Sequence, residues 1–565
     1  MKKLKNLFAF AFIMGITHLI NAQFTTMAIP IGSAEHDEAD DVYADDSGNV
    51  YLFGSHNSFA LSGSHTVRNF GGVDNYLIKF DNAGNVIWSQ TVGSSGDEIV
   101  YFLGMDNDIY GNIYITGGYR TIATFTSQDN NDKTLTSKGG LDVYVAKYSS
   151  AGNLMWVNSY GGSGNDVAHD IAVDKYLNYY ITGEFTGSAK FDYITLSSGG
   201  SSDIFIVKSD SSGHPKWGEI GTGVGEDVGT SVQIDNTGHI IICGYSGQPN
   251  SSMNMGGKTT TASAYQTGVL ARYNDSGICL WMECIHSSTG GNVWLECVTD
   301  IWNNIYVSGH NKGGSTVTSS DYNNISLGSG IGNYDVNIVK FDSLGVAKWG
   351  KLYGSSGMDQ GYAITLDKKD TTIYIGCKLG GQITYAGKTS TYYGGDDYLI
   401  AALDTSGKVI WYDYGGGAYN DGAQGLYIDR NNFIYVAAFY ESTSNIVGQS
   451  LSTKGNTDAL LVTYTIPESS GIKNLNAKEY DMTVFPNPNN GLFTLGFMLK
   501  KQSDVLVEAY DMHGKLTRNI YIKASAGYNN YPMDLQSLTS SSHLVRITVN
   551  GESTFSKIIT IPRER

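Results

Sequence analysis

The stretch AGNLMWVNSYGGSGND, residues 151–166, decides how this chain is read. It ends one apolar segment at a tryptophan, turns through glycine and serine, and opens the next segment on an aspartate. The same order returns along most of the sequence. Tryptophans stand at Trp88, Trp156, Trp217, Trp281, Trp349 and Trp411, spaced 68, 61, 64, 68 and 62 residues apart. A period of that length, filled with strand-like segments, is the mark of propeller blades or another stacked array.

One period, 166–221, parses into four strands: DVAHDIAVD, LNYYITGEF, DIFIVKSD and HPKWGEIG. Each is rich in β-branched or aromatic residues, and Asp, Asn, Ser and Gly fill the turns between them. The second strand recurs as NVYLFG, NIYITG, HIIICG, NIYVSG and TIYIGC, and the third as DNYLIKFD, DVYVAKY, DVNIVKFD and DDYLIAALD. Four antiparallel strands per repeat is the plan of a β-propeller. The last repeat, 421–466, has three strands and no tryptophan. Ten residues before Asp37 stands Met27, in the unpartnered apolar segment FTTMAIPIG. Residues 24–31 are therefore expected to supply the missing outer strand, with Met27 in the tryptophan's slot, closing seven blades without a free edge. Regular tryptophans on apolar strands point to packing between blades; the competing reading is a row of stacking platforms for sugars.

Composition agrees with this plan. Of 565 residues only 16% are charged, 70 are glycine and 8 proline, and no period-3.6 apolar pattern follows the N-terminus. Residues 1–22 carry Lys2, Lys3 and Lys5, an apolar run and Ala22, which reads as a secretory signal peptide cut after Ala22. A membrane anchor is the weaker reading, because the run is shorter than the ~20 residues needed to span a bilayer. The formal charge is −17, and about −23 falls on residues 23–472, which argues against nucleic acid as a partner. The cysteines Cys243, Cys279, Cys284, Cys297 and Cys377 contain no CxxC pair. They point to buried thiols, with one local disulfide as the alternative.

Units such as GSGNDVAHDIAVDKYLNYYITG (162–183) followed by SSDIFIVKSDSSGHPKW (201–217) resemble the bacterial seven-bladed SBBP propeller repeat over residues 24–466. The fourth blade departs from the pattern, with Gly268 and Val269 opening its third strand where others have Asp. The tail resembles the C-terminal sorting domain of the type IX secretion system of Bacteroidetes. VFPNPNNGLFTLGF (484–497) carries Pro486, Asn487, Pro488, Gly491 and Phe493, and HLVRITVNGESTFSKIITI (543–561) carries Lys557. Ser541–Leu544 replaces the usual Gly-x-Tyr. Alternating patterning with turns at HG and NG suits a small β-sandwich. The expected organisation is a signal peptide (1–22), a seven-bladed propeller (23–466), a linker (467–480) and a sorting domain (481–565). The resemblance implies recognition by the secretion machinery, then removal or replacement by a surface anchor.

Carboxylates form the strongest candidate constellation. Asp37, Glu98, Asp166, Asp227, Asp359 and Asp421 open first strands, with Asn292 in the remaining blade. Asp74, Asp142, Asp203, Asp335, Asp397 and Asp458 open third strands and should form a wider ring on the same face. Asp45, Asp106, Asp174, Asp235, Asp300, Asp367 and Asp429 are expected in the first-to-second-strand turns. Repetition in every copy favours bracing of the glycine-rich connections; the alternative is a ligand or metal site, with calcium as the cation. The polar loops 119–140, 247–266, 310–333 and 440–456 are candidate binding surfaces on that face. HExxH and GxSxG do not occur, and the 11 histidines are scattered. The expected function is an exported binding or scaffold module for glycans, surface polymers or proteins. A polysaccharide-acting hydrolase or lyase at the channel mouth is the alternative.

Overall fold

The computed structural model describes residues 25–465 apart from 59–60, 63–64, 97–102, 248–251, 262–265, 288–289, 368–371 and 386–387. Of the C-terminal part it describes 483–485, 492–499, 501–510, 516–534, 542–549 and 552–559. Every regular element among them is a strand. The chain divides into two units, Phe24–Ile466 and a second containing Pro467–Arg565. The signal peptide (1–22), the linker (467–480), Glu98, Pro486, Asn487, Pro488 and Gly491 lie outside the described residues.

The large unit is propeller-like, and one repeat explains the rest. Asp166–Val173, Tyr179–Phe185, Asp203–Ser209 and Pro215–Thr222 pair in chain order, all antiparallel. The first strand bulges between Ala168 and Asp170. The same bulge recurs between Ala39 and Asp41, Gly229 and Ser231, Trp294 and Glu296, Gly361 and Ala363, and Ala423 and Gly425. Bulges bend a strand and sharpen its twist. They also explain the glycine that ends the second-strand motif. A Cβ at Gly54, Gly183, Gly244 or Gly309 would fall 2.2, 1.9, 2.0 or 1.9 Å from the carbonyl oxygen of Glu38, Val167, Val228 or Val293. The bulged first strand presses against the second there, and no side chain fits.

Apolar cores lie between neighbouring sheets rather than within one. Val143 and Val145 of the second repeat pack with Ile171, Ile181 and Phe205 of the third. First strands touch in chain order, and the last, Asp421–Ile428, packs on the first, Asp37–Ala44. Thr25–Ile31 runs antiparallel to Gln449–Thr465, from Thr25 opposite Thr465 to Ile31 opposite Ala459. Burial is thereby shared between the two ends of the unit, and the otherwise bare edge of the last strand is paired.

The long loops are more ordered than their composition suggests. Ile122–Phe125 and Lys133–Thr136 form a hairpin that pairs with Val86–Gly93, the outer strand of the preceding repeat. Ser188–Phe191 does the same on Leu154–Gly162, Ser252–Met255 on Pro215–Thr222, and Ser315–Val317 on Cys279–His286. In the last repeat Ser444 and Asn445 pair with Gly417 and Gly416. Much of 119–140, 247–266, 310–333 and 440–456 is therefore structural edge cover, satisfying backbone groups that the outer strand would leave open.

The C-terminal unit has two antiparallel sheets. One contains Thr483–Phe485, Leu492–Leu499 and Gly527–Asp534; the other contains Leu516–Ala524, Ser503–Tyr510, Ser542–Val549 and Glu552–Ile559. Phe493, Leu495 and Phe497 of the first share a core with Val507, Val545 and Ile547 of the second.

Candidate functional site

The tryptophans are staples between repeats. Trp88 Nε1 donates to the carbonyl of Ser150 at 3.3 Å, Trp217 to Asp275 at 2.9 Å, Trp281 to Ser343 at 3.2 Å and Trp349 to Thr405 at 3.0 Å. Each acceptor lies in the third-to-fourth-strand turn of the next repeat. A glycine of that turn carries the ring: a Cβ at Gly152, Gly277, Gly345 or Gly407 would stand 2.9, 3.0, 2.9 or 3.1 Å from Trp88, Trp217, Trp281 or Trp349. Trp156 packs on Tyr114 and Tyr179, and Trp411 on Tyr374 and Tyr464. Met27 occupies the corresponding place at the join of the two ends, with its sulfur and methyl 3.2 Å from the Cβ position of Gly84. An indole fixed by one hydrogen bond and a glycine floor stabilises a junction; truncation to alanine costs about 3–5 kcal/mol.

The first-strand carboxylates accept backbone N–H groups four residues upstream. Asp37 accepts from Ser33 at 2.6 Å, Asp166 from Gly162 at 2.7 Å, Asp359 from Ser355 at 2.6 Å and Asp421 from Gly417 at 2.7 Å. The third-strand set repeats the geometry. Asp142 accepts from Lys138 at 2.8 Å, Asp335 from Ile331 at 2.9 Å, Asp397 from Tyr393 at 2.9 Å, Asp458 from Lys454 at 3.1 Å, and Asp203 from Gly199. Asp74 accepts from Phe70.

The two rings meet in pairs across the junctions, the third-strand Asp of one repeat beside the first-strand Asp of the next. A Cβ at Gly161 would lie 2.6 Å from Asp142 Oδ1 and 2.8 Å from Asp166 Oδ2; at Gly354 the distances to Asp335 and Asp359 are 2.4 and 2.6 Å. These carboxylates are buried. Burial raises Asp37, Asp166, Asp227 and Asp421 to about 6 and Asp397 to about 7, and the neighbouring carboxylate pushes Asp37, Asp166, Asp227 and Asp397 the same way. The Oδ1 atoms of Asp37, Asp142, Asp166 and Asp397 accept no hydrogen bond. Among the described residues no three or more His, Cys, Asp or Glu gather as a metal site.

One junction differs. Thr267 lies opposite Ser246, as Asp203 lies opposite Phe185, so Thr267 rather than Gly268 takes the place of the third-strand aspartate. Its partner is Asn292, whose Oδ1 accepts Ser315 Oγ at 2.8 Å and whose amide donates to the Gly290 carbonyl at 3.4 Å. Both charges are absent together.

The turn aspartates cap their own turns. Asp174 Oδ1 accepts the Tyr176 and Asn178 N–H groups, both at 2.8 Å, and Asp45, Asp235, Asp300 and Asp429 do likewise. Asp367 accepts from Thr372 at 3.2 Å. Asp106 does not belong to this set. Asp108 holds the turn, accepting from Tyr110 and Asn112, both at 3.0 Å. The eight-residue spacing counted from Glu98 misses because the second repeat shifts by two.

Asp106 belongs instead to a set that spacing did not reveal. Its Oδ2 accepts the Val173 N–H of the next repeat at 2.7 Å. Asp41 accepts from Met105 at 2.9 Å, Asp170 from Val232 at 2.7 Å and Glu296 from Ile364 at 2.7 Å. Asp41, Asp170 and Glu296 sit at the bulges and influence one another across non-adjacent repeats, so they face a common interior space. Desolvation lifts Asp41 to about 8, Asp170 to about 7 and Asp106 to about 6, and raises Glu296. For Asp41, Asp170 and Glu296 the sequence signal is a carboxylate four residues before the turn aspartate, inside an apolar strand; Asp106 stands only two before Asp108. All five cysteines are buried and free, held inside apolar cores.

In the C-terminal unit Phe493 is buried in the shared core. Lys557 lies in Glu552–Ile559. Residues 483–561 match the family model described as the secretion system C-terminal sorting domain.

The tail is a type IX sorting domain. A protein bearing this sorting domain is exported through the type IX system to the cell surface or the extracellular space, and the secretion machinery is its partner. Outside the sorting domain the likenesses are remote. An uncharacterized WD repeat-containing protein L264 of Acanthamoeba polyphaga mimivirus is 25% identical over 53% of this chain, which spans about a quarter (26%) of that relative's length. Among solved structures, virginiamycin B lyase from Staphylococcus aureus aligns with 8% identity and a TM-score of 0.34, covering 79% of this chain and 100% of the lyase. A mutant puromycin hydrolase aligns with 10% identity and a TM-score of 0.33, covering 82% of this chain and 58% of the hydrolase. Among the described residues no helix is long and apolar enough to cross a membrane.

Proposed function

We propose that this exported protein is a binding or scaffold module for glycans, surface polymers or proteins, built on a seven-bladed propeller and delivered by its sorting domain. On this reading each repeat is one four-stranded blade, and Thr25–Ile31 completes the seventh. The tail is a β-sandwich, residues 1–22 are a signal peptide, and 467–480 is the linker at which the sorting domain is removed. The resemblance of the repeats to the SBBP type, and of the tail to Bacteroidetes sorting domains, supports this arrangement.

One observation carries the reading. The carboxylates expected at the channel mouth are occupied in bracing: Asp37, Asp166, Asp359 and Asp421 each hold an upstream backbone N–H at 2.6–2.7 Å. A mouth whose carboxylates repeat the same bracing contact suits a rigid display frame, whereas acid–base chemistry needs two groups whose surroundings separate their roles. Binding of the purified protein to a glycan array, run beside a polysaccharide-degradation screen, tests this. Binding without turnover is expected; turnover of any polymer overturns the reading in favour of the hydrolase or lyase.

A further inference from the structure

On the face of the short turns, a cleft of about 520 Å³ opens between the third and fourth repeats. Its walls include Asp174, Tyr176, Asn178, Asn236, Thr237 and Asp275. It lies at the end of the strands opposite the carboxylate pairs. An exposed ring lines it, and Leu177 and Asp275 set it apart from the bracing seen elsewhere.

Tyr176 is 73% exposed at a turn position that carries Tyr110 and Trp302, also exposed, in the second and fifth repeats, and Ser47 and Thr237 in the first and fourth. The Lys175 ammonium lies 5.2 Å from its ring centroid. The next residue, Leu177, has φ +69°. Gly48, Gly111, Gly238, Asn303 and Asn432 hold this conformation in the other described turns of this type, residues that tolerate it far better than leucine. Strain of this kind collects where a neighbouring side chain must be held for a ligand. On the facing wall, Asp275 is fixed yet open. Its Oδ1 accepts the Tyr180 hydroxyl at 2.9 Å and pairs with Lys208, and Trp217 donates to its backbone carbonyl at 2.9 Å. Its side chain is nonetheless 68% exposed.

We propose that this cleft binds a neutral saccharide, with Tyr176 as the stacking platform and Asp275 as the acceptor for sugar hydroxyls. A pyranose ring presents C–H groups to a flat aromatic face and vicinal hydroxyls to a preset carboxylate. The walls carry Asp174, Asp235 and Asp275 against Lys175 and Lys208, with Lys208 paired to Asp275, and the chain's formal charge of −17 opposes anionic polymers. The proposal rests on the binding reading above and gives it a location away from the loop-rich face.

The full-length protein is screened against neutral glucans, mannans and xylans. The tightest oligosaccharide is then titrated calorimetrically against wild type, Tyr176→Ala, Tyr176→Phe and Asp275→Asn. The proposal expects at least about a tenfold loss of affinity for Tyr176→Ala and Asp275→Asn, retention in Tyr176→Phe, and an unchanged melting temperature for the exposed Tyr176→Ala. Sugar binding that is unaffected by Tyr176→Ala overturns the cleft and leaves the binding reading standing. Binding of peptides but of no saccharide at this cleft overturns the ligand class. An array on which nothing binds overturns both.

Discussion

The junction between the second and third repeats and that between the fourth and fifth meet one geometric demand with different chemistry. In the first, Asp142 and Asp166 hold the connections, and Gly161 gives them room. In the second, Thr267 and Asn292 stand in those places, and His286 continues the ladder where Gly161 would be. Three positions differ together. The carboxylates hold backbone N–H groups, whereas the uncharged Asn292 accepts the Ser315 hydroxyl and donates to the Gly290 carbonyl. At Gly354 the carboxylates on either side leave room for nothing larger than glycine; at Gly161 a φ of +143° asks for glycine as well.

The sharpest way to break this comparison is to fill the glycine. Gly161→Ala or Gly354→Ala drives a methyl to within 2.4–2.8 Å of buried carboxylate oxygens. Either is expected to lower stability by several kcal/mol in denaturant unfolding. His286→Gly at the neutral junction is expected to cost about 1 kcal/mol or less. Equal losses at both would show that the carboxylates are irrelevant to the glycine.

A second contrast is in pH. The folded-state pKa values of Asp37, Asp166, Asp227 and Asp421, about 6, and of Asp41, about 8, lie above the ordinary carboxylate value of 3.8. The folded state therefore binds more protons than the unfolded one above about pH 4, and ionising these groups weakens it. Their contribution is complete below about pH 4 and is lost as pH rises through about 6 to 8. Thermal melts should fall steadily between about pH 5 and pH 8.5; a flat or rising profile would contradict the burial of these acids. The double variant Asp142→Asn, Asp166→Asn copies the neutral junction. It is expected to flatten part of that slope while shifting stability at about pH 7 by only about 1 kcal/mol.

The smallest effect is expected at the strained turn. Leu177→Gly relieves a left-handed backbone and should stabilise the fold by about 1 kcal/mol or less. Gly238→Leu at the corresponding turn of the fourth repeat should do the reverse.

Much of this architecture was legible from the spacing of a few residues. Aligning tryptophans located the outer strands, because each indole must reach the glycine turn of the next repeat at a fixed distance along the chain. The same counting led to Met27, which lies on Gly84 as Trp88 lies on Gly152. Counting failed in the second repeat, where Asp108 rather than Asp106 caps the turn. It failed again at Thr267, because a neutral residue carries no visible signal. The bulge acids Asp41, Asp170 and Glu296 went unread because a carboxylate within an apolar strand looks like an exception to alternation. Only the bent strand shows that it reaches a backbone N–H of the neighbouring repeat. The loops misled for a different reason: serine-, glycine- and asparagine-rich segments look like free connections, yet pairing to a bare outer edge requires only backbone.

The central claim is that the two ends of the large unit form one continuous sheet, Met27 opposite Thr463 and Ile31 opposite Ala459. Hydrogen–deuterium exchange resolved over residues 25–31 and 459–465 tests it directly. The account predicts that both segments exchange slowly and lose protection together, in one cooperative step, when the unit unfolds. Fast exchange of 25–31 beside a protected 459–465 would contradict it.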